Sequence, residues 1–270
     1  MGGIIHQMNG PSGTSEAQQG GSVADGTACG DGSAVCAPQC ERPRSSAPDD
    51  VGKPRNPHDL FGYTIGEEIA NAITHGIGAA LSIAGLVLLI VKAAADGAHA
   101  QAVVSAAVFG STLIAEYLAS TLYHAITAPA AKRVLRVIDH SCIYLLIAGS
   151  YTPFLLVTLA SDGGIVMFAV IWLAALAGIV FEVAMRERQP RWLTTGIYLV
   201  MGWIIVFRLP QLLALLDSAA VALLVAGGIS YTIGTAFYLM KRIPYMHSVF
   251  HLWVLAGSIF QFMAVVLFVI

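Results

Sequence analysis

Two imidazoles four residues apart, His247 and His251, share one face of any helix that carries them, about one turn from each other. His124, on a separate apolar segment, offers a third. Three imidazole nitrogens are the ligand set of a catalytic zinc site whose fourth position stays open to water. Asp139 is placed to accept a hydrogen bond from a metal-bound water or from a ligand imidazole. Ser120, one turn from His124 on the same face, reaches the same water or a substrate carbonyl. Zinc lowers the pKa of a bound water to about 7, so the chemistry to expect is hydrolysis of an amide or ester held at bilayer depth. The competing reading is that each histidine only hydrogen-bonds a neighbouring helix.

These groups sit in a chain that cannot face water. It is 57% hydrophobic and 11% charged, with mean hydropathy +0.74, whereas a soluble domain carries roughly 25% charged residues. Its apolar runs are about 20 residues long rather than alternating ten-residue strands, which selects helices over a barrel. Seven segments follow, at about 69–91, 102–126, 135–159, 164–184, 193–209, 218–240 and 247–270. The fold class is an all-α, seven-helix transmembrane bundle. Thr64 with Glu67 three residues later forms a capping box that announces the first helix, which assigns Glu67 to a solvated cap. The fifth segment is short and runs into Arg208 and Pro210, leaving its junction with the sixth the least defined.

Basic residues orient the bundle. With the N-terminus inside, one side holds Arg42, Arg44, Lys53, Arg55, Lys132, Arg133, Arg136, Arg186, Arg188, Arg191, Lys241 and Arg242. Only Lys92 and Arg208 fall on the other. The expectation is N-terminus inside, C-terminus outside, in the plasma or inner membrane. Depth then follows: Ser120, His124, Asp139, His247 and His251 all lie in the cytoplasmic half, and nothing comparable collects on the outer side.

Other polar residues share that depth. Glu68, Asn71 and His75 form one stripe of the first helix and either support the histidines from behind or hydrogen-bond between helices. Glu116, Ser120 and His124 form a second stripe, with Glu116 about 12 Å deeper than His124 by helical rise. A carboxylate there faces the interior, lining a substrate or proton path or making a structural hydrogen bond. His140 points about 100° away from Asp139 and reads as interfacial.

Residues 1–57 are rich in Gly, Ser, Ala, Pro and Asp and lack apolar periodicity, so they read as a disordered cytoplasmic tail ahead of a membrane domain at 58–270. No secretory signal is expected, and His6 breaks a myristoylation motif. Cys29, Cys36 and Cys40 lack paired CxxC spacing and read as reduced thiols. A net charge of −2 gives no sign of nucleic-acid binding. Membrane lipids are the expected partners; oligomeric state is not legible.

At these residues the chain resembles the hemolysin III family, the bacterial branch of the progestin and adipoQ receptor superfamily. The matching stretches are Glu68 to Gly78, Ser120 to His124, Ile138 to His140 with Ala148 to Phe154, Tyr198 to Trp203, and His247 to Gly257. The resemblance covers about 60–270. It implies seven spans with an inside N-terminus and zinc on His124, His247 and His251 near the cytoplasmic face, with Ser120 and Asp139 close by. It further implies a lipid amide hydrolase akin to ceramidases, or a role in membrane lipid homeostasis. Gln261, where relatives often carry a further His, and Glu116 depart from the family pattern. Two other functions stay open: a non-enzymatic membrane regulator with structural zinc, and a pore-forming cytolysin.

Overall fold

The computed structural model describes residues 62–185, 188, 190–240 and 243–270. The tail with Cys29, Cys36 and Cys40 lies outside the described residues, as do Arg186, Lys241 and Arg242 of the topology argument. The described chain forms helices α1 (Ile65–Ala95), α2 (Ala100–Ala125), α3 (Pro129–Pro153), α4 (Gly164–Met185), α5 (Arg191–Trp203), α6 (Leu209–Leu215), α7 (Ser218–Leu239) and α8 (Met246–Phe268). Seven stretches are long and apolar enough to cross a bilayer, because α3 continues to Thr158 and α5 and α6 form one span, Arg191–Leu215.

The polarity runs inside out. Along α1, Ile65, Ile69, Ile73, Ile77 and Leu81 are exposed at helical spacing, while Glu68, Asn71, His75 and Ser82 are buried. Hydrocarbon solvates the apolar stripe, and the polar groups retreat to the interior, where Glu68, Asn71 and Ser82 find partners. Neighbours in sequence pack together, α1 on α2, α2 on α3, α3 on α4 and α7 on α8. α8 then returns against α1. This brings the starts of α1, α3 and α8 to the end of α2.

Two small residues allow the close approaches that position the polar interior. Gly78 lies flat against the Tyr117 ring, leaving no room for a Cβ. The Tyr117 hydroxyl thereby reaches Ser258 of α8 and donates to its Oγ at 2.7 Å. Gly257 similarly admits Tyr231, where a Cβ would lie 2.7 Å from the ring.

Two boundaries differ from the sequence expectation. The third span starts at Pro129 rather than 135, since proline suits the first helical position and the basic residues read as loop continue the helix. The fifth span does not stop near 209 but passes through a 3₁₀ segment, Ile204–Arg208, into α6. The Tyr151 hydroxyl of α3 inserts into the helical ladder at the start of this segment. It accepts from the Ile205 N–H at 3.0 Å and lies 2.7 and 2.8 Å from the carbonyls of Met201 and Gly202.

Candidate metal centre

The capping box forms as expected, with the Thr64 N–H 2.8 Å from Glu67 Oε2 and the Glu67 N–H 3.3 Å from Thr64 Oγ1. Glu67 does more than solvate a cap. Its Oε1 also accepts from the Tyr245 N–H at 3.0 Å. Tyr245 holds a positive φ of 62° immediately before α8. One carboxylate therefore ties the start of α1 to the start of α8, two residues ahead of His247.

His124, His247 and His251 meet, with one ring nitrogen from each within 4.8 Å of the others. His247 and His251 Nε2 are 3.1 Å apart. Two nitrogens bound at about 2.05 Å to a tetrahedral zinc stand about 3.3 Å from each other, so this spacing fits one edge of such a site. The far side of each buried ring sets its tautomer. His124 Nδ1 lies 2.6 Å from Glu68 Oε2, a geometry in which the imidazole N–H donates to the carboxylate. Nε2 of His124 is left with its lone pair and has no hydrogen-bond partner among the described residues. The Thr74 hydroxyl donates to backbone carbonyls at 2.9 Å, so its oxygen accepts from His251 Nδ1 at 3.2 Å. That leaves His251 Nε2 as an acceptor too. Nε2 of His124 is then a buried acceptor without a donor, which is costly, while Nε2 of His251 faces Nε2 of His247; a cation held between the three rings would satisfy all three nitrogens together. The donor set fits zinc: three converging imidazoles, with the buried rings of His124 and His251 each held from behind.

The supporting residues come from three helices. Glu68 also pairs with Lys132 Nζ of α3 at 2.7 Å, and Lys132 donates to the Tyr123 carbonyl at 3.0 Å. Asn71 Oδ1 accepts from Ser248 at 2.6 Å, locking α1 to the first turn of α8. His75 stacks on His251 with ring centroids 3.5 Å apart and an interplanar angle of 20°. Ser120 and Asp139 are buried beside the cluster, with Ser120 and His124 both close to the Asp139 carboxyl. At the mouth, Tyr63 covers His247 with centroids 4.9 Å apart. Burial pushes the Tyr63 phenol above its ordinary range, so it stays protonated.

Glu116 lies deeper, buried, and lines an apolar cavity of ≈ 300 Å³ between α3, α5, α7 and α8. Tyr238 and Phe250, which also line it, touch the His247 ring with centroids 5.8 and 5.5 Å away. One end of the cavity therefore abuts the histidines. His140 faces away from them and is not simply interfacial: its Nδ1 is 3.0 Å from the buried Glu182 of α4.

Sequence reading did not single out Lys132, Thr74, Ser248 or Glu182. Lys132 could have been found, because it stands seven residues before Asp139 on the same helical stripe. Thr74 and Ser248 adjoin His75 and His247 in sequence, but nothing about an isolated hydroxyl says which ring it will meet.

A bundle of seven membrane-length helices that turns its polar residues inward and gathers three imidazoles at one end is a multi-pass membrane protein with a cluster able to hold a metal. The family model for haemolysin-III-related proteins matches residues 63–262, and the chain belongs to that family. It is 48% identical over 206 residues to the hemolysin-3 homolog of Bacillus subtilis (strain 168), covering 76% of this chain and 96% of that one. Hemolysin-3 of Bacillus cereus is 45% identical over 204 residues, 76% and 92% of the two chains. At 28% identity over 213 residues, the human monocyte to macrophage differentiation factor covers 74% of this chain and 83% of its own.

Proposed function

We propose that the chain is a zinc-dependent hydrolase of membrane-lipid amides or esters, with its N-terminus in the cytoplasm and its metal site in the cytoplasmic leaflet of the cell membrane. The observation that carries this reading is the convergence of three imidazole nitrogens, two of them tautomerically committed as acceptors, beside Ser120 and Asp139 and at the end of an apolar cavity. His124, His247 and His251 would hold the zinc, which would supply Lewis acidity and a water made nucleophilic at neutral pH. Asp139 is the proton acceptor next to the attacking water and later returns the proton to the leaving group. Ser120, close to the Asp139 carboxyl, is the hydroxyl positioned to orient it. The cavity takes the acyl chain, which sets the scissile carbonyl beside the histidines, and Tyr63 closes the aqueous side over His247.

A structural zinc would call for four protein ligands, and the cluster among the described residues has three. The name hemolysin on the Bacillus relatives raises lysis as another reading. The lipid-exposed apolar stripes and buried polar interior favour a permanently inserted bundle instead. The test is fatty-acid release from a long-chain N-acyl amide and its ester counterpart by purified protein in lipid nanodiscs. Release that stops with chelator and returns with zinc supports the reading. Release unchanged in metal-free protein, or none from either substrate by zinc-loaded protein, contradicts it.

A further inference from the structure

Nearly all of the cavity wall is apolar, and the buried polar side chains Glu116, Gln261 and Thr195 interrupt it. Glu116 of α2 and Gln261 of α8 are 3% and 6% exposed, and both line the cavity. Each carries an oxygen without a partner: Glu116 Oε2 and Gln261 Oε1 have no hydrogen-bond partner among the described residues. The Gln261 amide nitrogen is engaged, donating to the Leu224 carbonyl at 3.4 Å, which turns the oxygen outward as an acceptor. The cavity's other aliphatic hydroxyls behave differently. Ser150, Thr232 and Thr235 donate to carbonyls of their own helices and offer no exposed demand. Thr195 is unpartnered, but it belongs to the first turns of α5 rather than to the depth of Glu116.

The two unsatisfied groups sit at matching depth. Glu116 is eight residues from His124, and Gln261 is ten from His251, which by helical rise places them about 12 and 15 Å from the histidines. An extended chain advances about 1.2 Å per bond, so this span corresponds to about ten to twelve bonds. Two buried oxygens without donors in an apolar tunnel are destabilising unless a ligand supplies a donor there.

The geometry points to a station for a mid-chain polar group: the cavity takes acyl chains that carry a hydroxyl about ten to twelve carbons from the scissile carbonyl. A hydroxyl carries one donor and accepts in turn, so it can accept from a protonated Glu116 carboxyl and donate to the Gln261 amide oxygen, or donate to one of the two oxygens when Glu116 is ionised. A plain methylene at this position leaves both acceptors unsatisfied. The station rests on the reading of the cavity as an acyl-chain site and adds a chemical selectivity to it.

The test uses full-length protein in nanodiscs and a fluorescent fatty acid as displaceable probe. Stearate, 2-hydroxystearate and 12-hydroxystearate compete against it. The expected order has 12-hydroxystearate displacing about tenfold better than 2-hydroxystearate, the worth of one well-made hydrogen bond in a dry site. That ratio should fall toward one in Glu116→Leu and separately in Gln261→Leu, and be largely kept in Glu116→Gln. If stearate binds and the 12-hydroxy and 2-hydroxy acids compete equally, the station is wrong while the acyl cavity stands. A preference that survives both leucine variants also overturns it. If no fatty acid competes, the acyl-chain reading fails and takes the station with it.

Discussion

Glu68 lies 2.6 Å from Nδ1 of His124 and 2.7 Å from Nζ of Lys132, so one buried carboxylate joins α1, α2 and α3 at the metal centre. Its bond to the imidazole N–H directs Nε2 of His124 toward His247 and His251. The same carboxylate balances a lysine that would otherwise bring an ammonium into the interior without it. Orientation of a ligand and neutralisation of a charge thus depend on one side chain.

These two roles separate by mutation. Glu68→Ala is expected to weaken zinc binding about 10- to 100-fold, the usual effect of losing a carboxylate behind a ligand histidine. It should also destabilise the fold by about 3–5 kcal/mol by leaving the Lys132 ammonium without this partner. Adding Lys132→Met should recover much of the stability but none of the metal affinity. Zinc titration and thermal unfolding of the single and double variants check both arms, and recovery of affinity in the double variant would refute the orienting role.

Asp139 is expected to matter for rate and not for metal. Asp139→Asn should retain zinc and lose about 10²- to 10⁴-fold in hydrolysis, the range for a missing general base. Ser120→Ala, which removes only a hydroxyl close to Asp139, should cost less. Measuring zinc content alongside turnover decides the case; loss of zinc in Asp139→Asn would make that residue a ligand instead.

Tyr151 carries a prediction about the fold alone. Tyr151→Phe leaves the Ile205 N–H and the carbonyls of Met201 and Gly202 without the hydroxyl that bridges them. The expected cost is about 1–3 kcal/mol, read as a fall of several degrees in unfolding temperature, with zinc content unchanged. An unchanged melting temperature would show that the 3₁₀ break satisfies itself.

The parts of the fold legible in sequence were those written in local pattern. Apolar runs of membrane length located the seven spans, and Thr64 with Glu67 announced α1 because a capping box is contained in four residues. The histidines were legible because i,i+4 spacing and depth from the bilayer surface are both properties of the chain in one dimension. Tyr151 was not, since the 3₁₀ break at Ile204–Arg208 is repaired from another helix more than fifty residues away. The role of Lys132 was not legible for a related reason: its sequence position gives its side of the bundle, but not the buried carboxylate from α1 that meets it. The pairing of His140 with Glu182 and the tie from Glu67 to Tyr245 are likewise tertiary facts without a local signature.

Metal content tests the central claim most directly. Protein purified from zinc-replete cells, assayed by mass spectrometry of the metal beside the triple variant His124→Ala, His247→Ala, His251→Ala, is expected to hold about one zinc per chain in the wild type. The triple variant should elute as the same folded species with none. A wild type without stoichiometric metal, or a triple variant that keeps it, would contradict the three-histidine zinc centre.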